Sequence, residues 1–332
     1  MYANQADIEF NSWDKEAIEI IMKRSALPVL FIGVMCLLFS IQGYCKGKKN
    51  PFPSDVHVFL IGFDGWGSYS FPKAEMPVLK GMMEQGCWTL KKRSVLPSLS
   101  GPNWASMLMG ASPEIHGYTQ NDKGPEFPPM TVSENHVFPS ISQLLRKKIN
   151  ESEIALFYQW DGLNYVADTL SINHLSYLPV GKGKDWYTEI NESACKYIKV
   201  KKPSLCTIIY NYPDHYGHAI GFDSNEYYES LKILDKSLEI IIQAVKDAGI
   251  IDKSIFIVTS DHGGTGKTHG GKTLKEMEAP FIIFGCNIKK GFEINDSMMQ
   301  YDIAATIAYI FDLDMPQAWI GRPIQSVFEK IR

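Results

Sequence analysis

The sequence predicts an α/β fold, a mostly parallel central sheet with helices on both faces. Two observations predict it. Several short runs rich in β-branched and aromatic residues are apolar throughout instead of alternating, the pattern of strands buried on both faces. Amphipathic helical patterns lie between them, and strands that alternate with helices build parallel sheets covered on both sides.

Residues 56–63 (VHVFLIGF) end at Asp64, residues 153–160 (EIALFYQW) at Asp161, residues 206–213 (CTIIYNYP) at Asp214, and residues 254–260 (SIFIVTS) at Asp261. Residues 280–285 (PFIIFG) read as a further buried strand. The clearest helix is 227–248, with Leu231, Leu234, Leu238, Ile241, Ile242 and Val245 on one face and Gly249 as its stop. In open α/β sheets the ligand site lies beyond the carboxyl ends of the strands. The sheet should therefore gather Asp64, Asp214 and Asp261 along one edge. Residues 120–202, rich in aromatics, Gly and Lys, are weakly patterned and are expected to include a lid or small insert over that edge.

A net charge of -4 gives no basic footprint, which argues against a polymeric nucleic acid as partner. The N-terminus differs from the rest. Met22, Lys23 and Arg24 precede an apolar run over 26–41, the n-region and h-region of a secretory signal, and the run is short for a membrane span. The reading is a non-native extension at 1–21, a signal peptide or membrane anchor at 22–45, and one folded domain at 52–330. Export follows, to a periplasmic, secreted or membrane-anchored location. Beyond the signal, Cys87, Cys195, Cys206 and Cys286 form no CxxC pair, so a thiolate metal site is not expected. Cys195 and Cys206 are close enough in sequence to pair after export, and two free thiols are the equal alternative.

The chemistry sits at the strand ends. Asp214 and His218 stand four apart in DHYGH, Asp261 and His262 are adjacent, and His269 follows in THGG. Carboxylate oxygen with imidazole nitrogen is the donor set that suits zinc and similar divalent ions. Ser100 stands where a loop gives way to a helix, with Pro102 near the helix start. A serine there is ordinarily an N-cap, but a helix N-terminus also holds anions, and a metal-activated serine is a nucleophile. The segment Gly264 to Thr268 imitates the end of a P-loop, yet Asp261 occupies the place of the leading glycine.

GFDGW around Asp64, SGPNWASMLMGASPEIHGY around Ser100, YPDHYGH around Asp214 and SDHGGTGKTHGG around Asp261 together resemble the alkaline phosphatase superfamily. The branch they are most similar to is the type I phosphodiesterase, or nucleotide pyrophosphatase/phosphodiesterase, group, over residues 56–322 in the family's order. The resemblance implies that 52–330 is an alkaline phosphatase-like catalytic domain with two divalent ions, zinc first. One ion would be held by Asp64, Asp261 and His262, with Ser100 as the further ligand. The other would be held by Asp214, His218 and His269. Asn103, with the Ser100 amide, would bind a phosphoryl oxygen, and Ser100 would attack phosphorus to give a phosphoseryl intermediate that water hydrolyses. Three departures stand out. The branch usually carries threonine where Ser100 stands. His269 follows His262 sooner than in the animal enzymes. The arginine of the sulfatase motif is replaced by Trp104, which disfavours a sulfatase.

Tyr158 and Trp160 could stack on a base or sugar, with core packing as the plainer reading, and Lys267 could contact an anionic substrate. The function these residues imply is an exported two-metal phosphohydrolase acting on phosphodiester or pyrophosphate bonds of a small-molecule ester, a nucleotide among the candidates. Diesters are favoured because no arginine lies near Ser100. A phosphomonoesterase, a phosphoethanolamine-type transferase and an inactive metal-binding relative are the alternatives.

Overall fold

The computed structural model of the chain describes residues 52–180 and 185–329. The expected extension at 1–21 and the signal peptide or anchor at 22–45 lie outside the described residues. Among the described residues no helix is long and apolar enough to cross a membrane.

Eight strands form one sheet: β1 (His57–Phe63), β2 (Gly86–Arg93), β3 (Ile154–Tyr158), β4 (His174–Tyr177), β5 (Leu205–Tyr210), β6 (Ser254–Thr259), β7 (Glu278–Gly285) and β8 (Phe292–Glu293). Their order across the sheet is β4-β3-β5-β1-β6-β7-β2-β8. From β4 to β6 every pairing is parallel. β7 alone runs against its neighbours, antiparallel to both β6 and β2, while β8 pairs parallel with β2. The five apolar runs are thus all strands of a mostly parallel sheet. β1, β5 and β6 are its central members, and β5 and β6 are buried along their whole length.

Helices cover both faces. Alternate residues of β1 face opposite ways: Val58 and Leu60 join one apolar cluster, and Phe59, Ile61 and Phe63 the other. The first cluster takes in α2 (Ser100–Met109), α3 (Ile141–Lys148) and α7 (Asp302–Ile310). The second takes in α1 (Pro77–Glu84), α4 (Thr188–Lys201) and α6 (Asn225–Asp247). α6 is the helix read at 227–248. It begins two residues earlier because Ser224 caps it, its Oγ accepting from Tyr227 N at 3.3 Å. Buried Asp235 on α6 accepts from the backbone N–H of Val78 and Leu79, and so satisfies the free donors at the start of α1. Within 120–202, β3, β4, α3 and α4 belong to the layers of the sheet, and 120–139 carry neither helix nor strand. Among the described residues the four cysteines are free thiols; Cys206 is buried and Cys195 half-buried.

Candidate metal centre

β1, β5 and β6 run side by side in parallel, so their carboxyl ends open on the same edge. Asp64 follows β1 directly, Asp261 lies one residue beyond Ser260 at the end of β6, and Asp214 opens the short helix α5 (Asp214–Ala219) after β5. Gly65 lets the loops meet. Its φ is +72°, and a Cβ there would lie 2.7 Å from Asp214 Cβ, so a side chain would push Asp214 away from Asp64.

Two clusters of metal-ligating atoms result, each with its atoms within 4.8 Å of one another: Asp64, Asp261 and His262, and Asp214, His262 and His269. His218 adjoins the second, with Nε2 3.4 Å from Asp214 Oδ2 and 3.0 Å from His269 Nε2. His262 Nε2 lies 3.2 Å from Asp261 Oδ2 and 3.6 Å from Asp64 Oδ1, and His269 Nε2 lies 3.6 Å from Asp214 Oδ1. Ser100, the first residue of α2, places its Oγ 3.1 Å from His262 Nε2 and 3.5 Å from Asp64 Oδ1. Every metal ligand named in the sequence reading is therefore in one place, His269 included.

The three histidines share one arrangement. Nδ1 of His262 meets Gly263 O at 2.8 Å, Nδ1 of His269 meets Ser98 O at 3.0 Å, and Nδ1 of His218 meets Lys267 O at 3.0 Å. A carbonyl only accepts, so each Nδ1 carries a proton; in His262 and His269, which burial keeps neutral, Nε2 then turns a lone pair into the cluster. His218 Nε2 and His269 Nε2 face each other across 3.0 Å, beside the Asp214 carboxylate. Buried Asp214 Oδ1 and Asp261 Oδ2 have no hydrogen-bond donor. Burial, reinforced by the neighbouring carboxylates, raises the pKa of Asp64 and of Asp214 well above the usual range. Burial pushes Asp261 up to about 6, and holds His262 and His269 down to about 3. Crowded anions, undonated oxygens and inward lone pairs are what divalent cations would relieve, and the residues fit a pair of them.

Trp104 and Asn103 follow Ser100 on α2. The Trp104 indole N–H donates to Asp64 Oδ2 at 3.2 Å, so the residue standing in place of the sulfatase arginine holds the Asp64 carboxylate. The Asn103 amide is engaged elsewhere. Its Oδ1 accepts from Val95 N at 2.8 Å, and its Nδ2 donates to Leu99 O at 2.8 Å, with Val95 O and Pro97 O at 3.3 and 3.2 Å. It ties down the loop before Ser100 and is fully buried.

A cavity of about 450 Å³ opens over the clusters, lined by Ser100, Asn121, Trp160, Asn211, Asp214, His215, His218, Ala219 and His269. No lysine or arginine is among them. Asn121 lies on an irregular loop without a local pattern, so nothing in the sequence marks it. Its Oδ1 accepts from Gly101 N at 2.7 Å, which leaves its Nδ2 as a donor in the cavity wall it shares with Ser100. Of the three substrate contacts read from the sequence, only Trp160 reaches the cavity. Tyr158 is buried in β3 and its hydroxyl bonds Asn164. Lys267 directs its ammonium to Ala219 O at 3.1 Å. Thr265 and Thr268 bridge in a tight turn at Gly266 (φ +58°), so the P-loop imitation starts no helix.

Residues 58–277 match the family described as type I phosphodiesterase / nucleotide pyrophosphatase. Bis(5'-adenosyl)-triphosphatase enpp4 of Xenopus laevis is 25% identical over 244 residues, which cover 69% of this chain and 52% of the relative. Human ectonucleotide pyrophosphatase/phosphodiesterase 5 superposes with a TM-score of 0.68 at 16% identity, covering 82% of this chain and all of that one. A putative sulfatase from Bacteroides thetaiotaomicron reaches 0.66 at 15% identity, over 84% of this chain and 76% of its own. The chain spans about half the length of the first curated relatives it matches. The fold is thus shared with a sulfatase as well, and the side chains at the site must separate the chemistries.

Proposed function

Since the chain belongs to the type I phosphodiesterase / nucleotide pyrophosphatase family, we propose that it is a two-metal phosphohydrolase that cleaves phosphodiester or pyrophosphate bonds through a phosphoseryl intermediate. The observation that carries this reading is the position of Ser100 Oγ, 3.1 Å from His262 Nε2 and on the wall of the cavity that Asp214, His218 and His269 also line. Asp64, Asp261 and His262, with Ser100, would hold one cation, and Asp214, His218 and His269 the other; zinc suits this donor set. Bound there, two dications would acidify the serine hydroxyl and offset the charge that gathers on the pentavalent phosphorus.

The chain's own residues do the rest. Ser100 Oγ, its proton passing to the leaving oxygen by way of solvent, attacks phosphorus as the ester bond on the far side breaks, and the alcohol or phosphate leaves. Water entering on the vacated side, beside Asp214, His218 and His269, then hydrolyses the phosphoseryl ester, returns a proton to Ser100 Oγ and releases the phosphate with its remaining ester group. Asn121 Nδ2 is better placed than Asn103 to donate to a phosphoryl oxygen, because the Asn103 amide is committed to the Val95–Leu99 backbone. Trp160 gives the departing or retained group an apolar surface. A dianionic monoester needs a further cation at its non-bridging oxygens, and the cavity lining supplies none; this favours diesters and places a monoesterase second. The loop 120–139, which carries Asn121, is the part of the expected lid that would contact substrate. Export, through a cleaved or anchoring segment at 22–45, completes the reading.

The test is turnover of bis-nitrophenyl phosphate and nitrophenyl phosphate with added zinc, by wild type and Ser100→Ala. Zinc-dependent turnover that favours the diester and is lost in Ser100→Ala is expected. Absence of turnover on both esters would sink the enzyme reading, and an active Ser100→Ala the serine mechanism.

A further inference from the structure

Lys92 lies near the end of β2 and is fully buried, while Lys91 beside it is exposed. The pairing of β2 with β7 shifts register between Thr89 and Lys92, and Lys91 N turns aside to Thr89 Oγ1. A bulge of this kind re-aims a side chain. Here it turns Lys92 inward, beneath the loop that carries Asp261 and His262. Lys92 Nζ donates to Ser260 O at 2.8 Å and bonds Gln300 Oε1. Gln300, equally buried, returns its Nε2 to Ser260 O at 3.2 Å and Asp261 O at 3.0 Å. Ser94 Oγ donates to Asp261 O at 2.6 Å, and Ser260 Oγ to His262 O at 2.9 Å. All three carbonyls of the Ser260–Asp261–His262 run are held in this way, while the side chains of Asp261 and His262 meet Asp64 and Ser100.

Burying an ammonium is costly unless it is paired and hydrogen-bonded. Packing alone would be served by a methionine of similar length, so the donor itself is what this position uses. We infer that Lys92 is a positioning residue of the metal centre. Acting with Gln300 through the Ser260 and Asp261 carbonyls, it fixes the directions of the Asp261 and His262 ligand atoms and thereby sets the affinity of that cation position. Outer partners that orient ligands in this manner change metal affinity by ~10–100-fold when removed.

The inference rests on reading Asp64, Asp261 and His262 as a metal site, and the experiment separates the two. Metal-free protein is titrated with Co2+ against a chromogenic chelator while the cobalt d–d absorption is recorded. Wild type is expected to take two ions per chain; a wild type that binds none overturns the site and this inference with it. Lys92→Met is expected to bind one of the two ions ~10–100-fold more weakly, with a changed d–d band for that ion. Its kcat should fall while KM stays put. Lys91→Met, next to it on the surface, should match wild type. Gln300→Met should reproduce the Lys92→Met signature, and it carries the test alone should Lys92→Met not fold. Wild-type affinity and spectrum in the folded variants would overturn the role of Lys92 while leaving the metal site standing.

Discussion

Trp104 and Asp64 are joined by a 3.2 Å hydrogen bond from indole N–H to carboxylate, both fully buried, and Gly62 packs against the same indole. A Cβ at Gly62 would lie 2.4 Å from the ring. Gly62→Ala should therefore lower stability by ~1–3 kcal/mol through overpacking and displace the indole from Asp64. Trp104→Phe keeps most of the packing and removes the donor. It should weaken metal binding and activity by ~10–100-fold. Chelator competition and thermal melts check both, and full metal affinity in Trp104→Phe would deny the indole its orienting role.

The two asparagines near Ser100 should separate cleanly. Asn103→Ala removes an amide that makes four hydrogen bonds to the Val95–Leu99 backbone. It should cost ~2–4 kcal/mol in a denaturant melt, since buried groups lose their partners. Asn121, half-buried, makes one such bond, from Gly101 N; Asn121→Ala should cost only ~0.5–1.5 kcal/mol in the melt while kcat falls ~10-fold or more. The opposite pattern would return the phosphoryl contact to Asn103.

His269 stacks on His262 at 3.8 Å and faces both Asp214 and His218. His269→Ala should reduce bound metal from two equivalents to one, read by elemental analysis of dialysed protein. Activity should drop at least ~100-fold, because a ligand is lost and not merely its orientation. Two tightly held equivalents in the variant would remove His269 from the ligand set.

Asp261 gives a pH prediction. Burial raises its folded pKa from the ordinary carboxylate value of 3.8 to about 6. In metal-free protein the ionised form is thus disfavoured by folding, a cost absent below pH 3.8 and fully present above pH 6. Asp261→Asn removes the charge yet keeps an acceptor for Gly65 N and His262 N. The metal-free variant should be more stable than metal-free wild type at pH 8, by ~1–3 kcal/mol, and the gain should vanish near pH 4. A variant less stable than wild type at pH 8 would contradict the burial argument.

The sequence made the gathering of Asp64, Asp214 and Asp261 legible because strand-terminal acids in a parallel sheet have only one edge to occupy, and all three are found there. Long-range pairing was not written so plainly. β7 reads as a buried strand, but nothing in PFIIFG says that it runs against its neighbours. Asn121 has no periodic context, so only the folded loop brings it beside Gly101. Tyr158 and Trp160 look alike as aromatics near a strand end. One lies inside β3 and the other just beyond it, and that single step decides between wall and cavity. Lys92 sits in LKKR, which reads as a solvated charge run until the bulge turns one lysine inward.

The reversed direction of β7 has a consequence for how such a centre can vary. His262 and His269 both lie on 260–277, a connection that leaves the sheet at the end of β6 and returns on the adjacent strand at the same edge. A hairpin excursion of this kind has no crossover to rethread. Chain can be added between the two histidines without moving any strand, so their spacing in sequence is elastic while their positions in space stay anchored. A short-looped and a long-looped protein could present the same donors, and a domain grafted into this connection would hang over the mouth of the site.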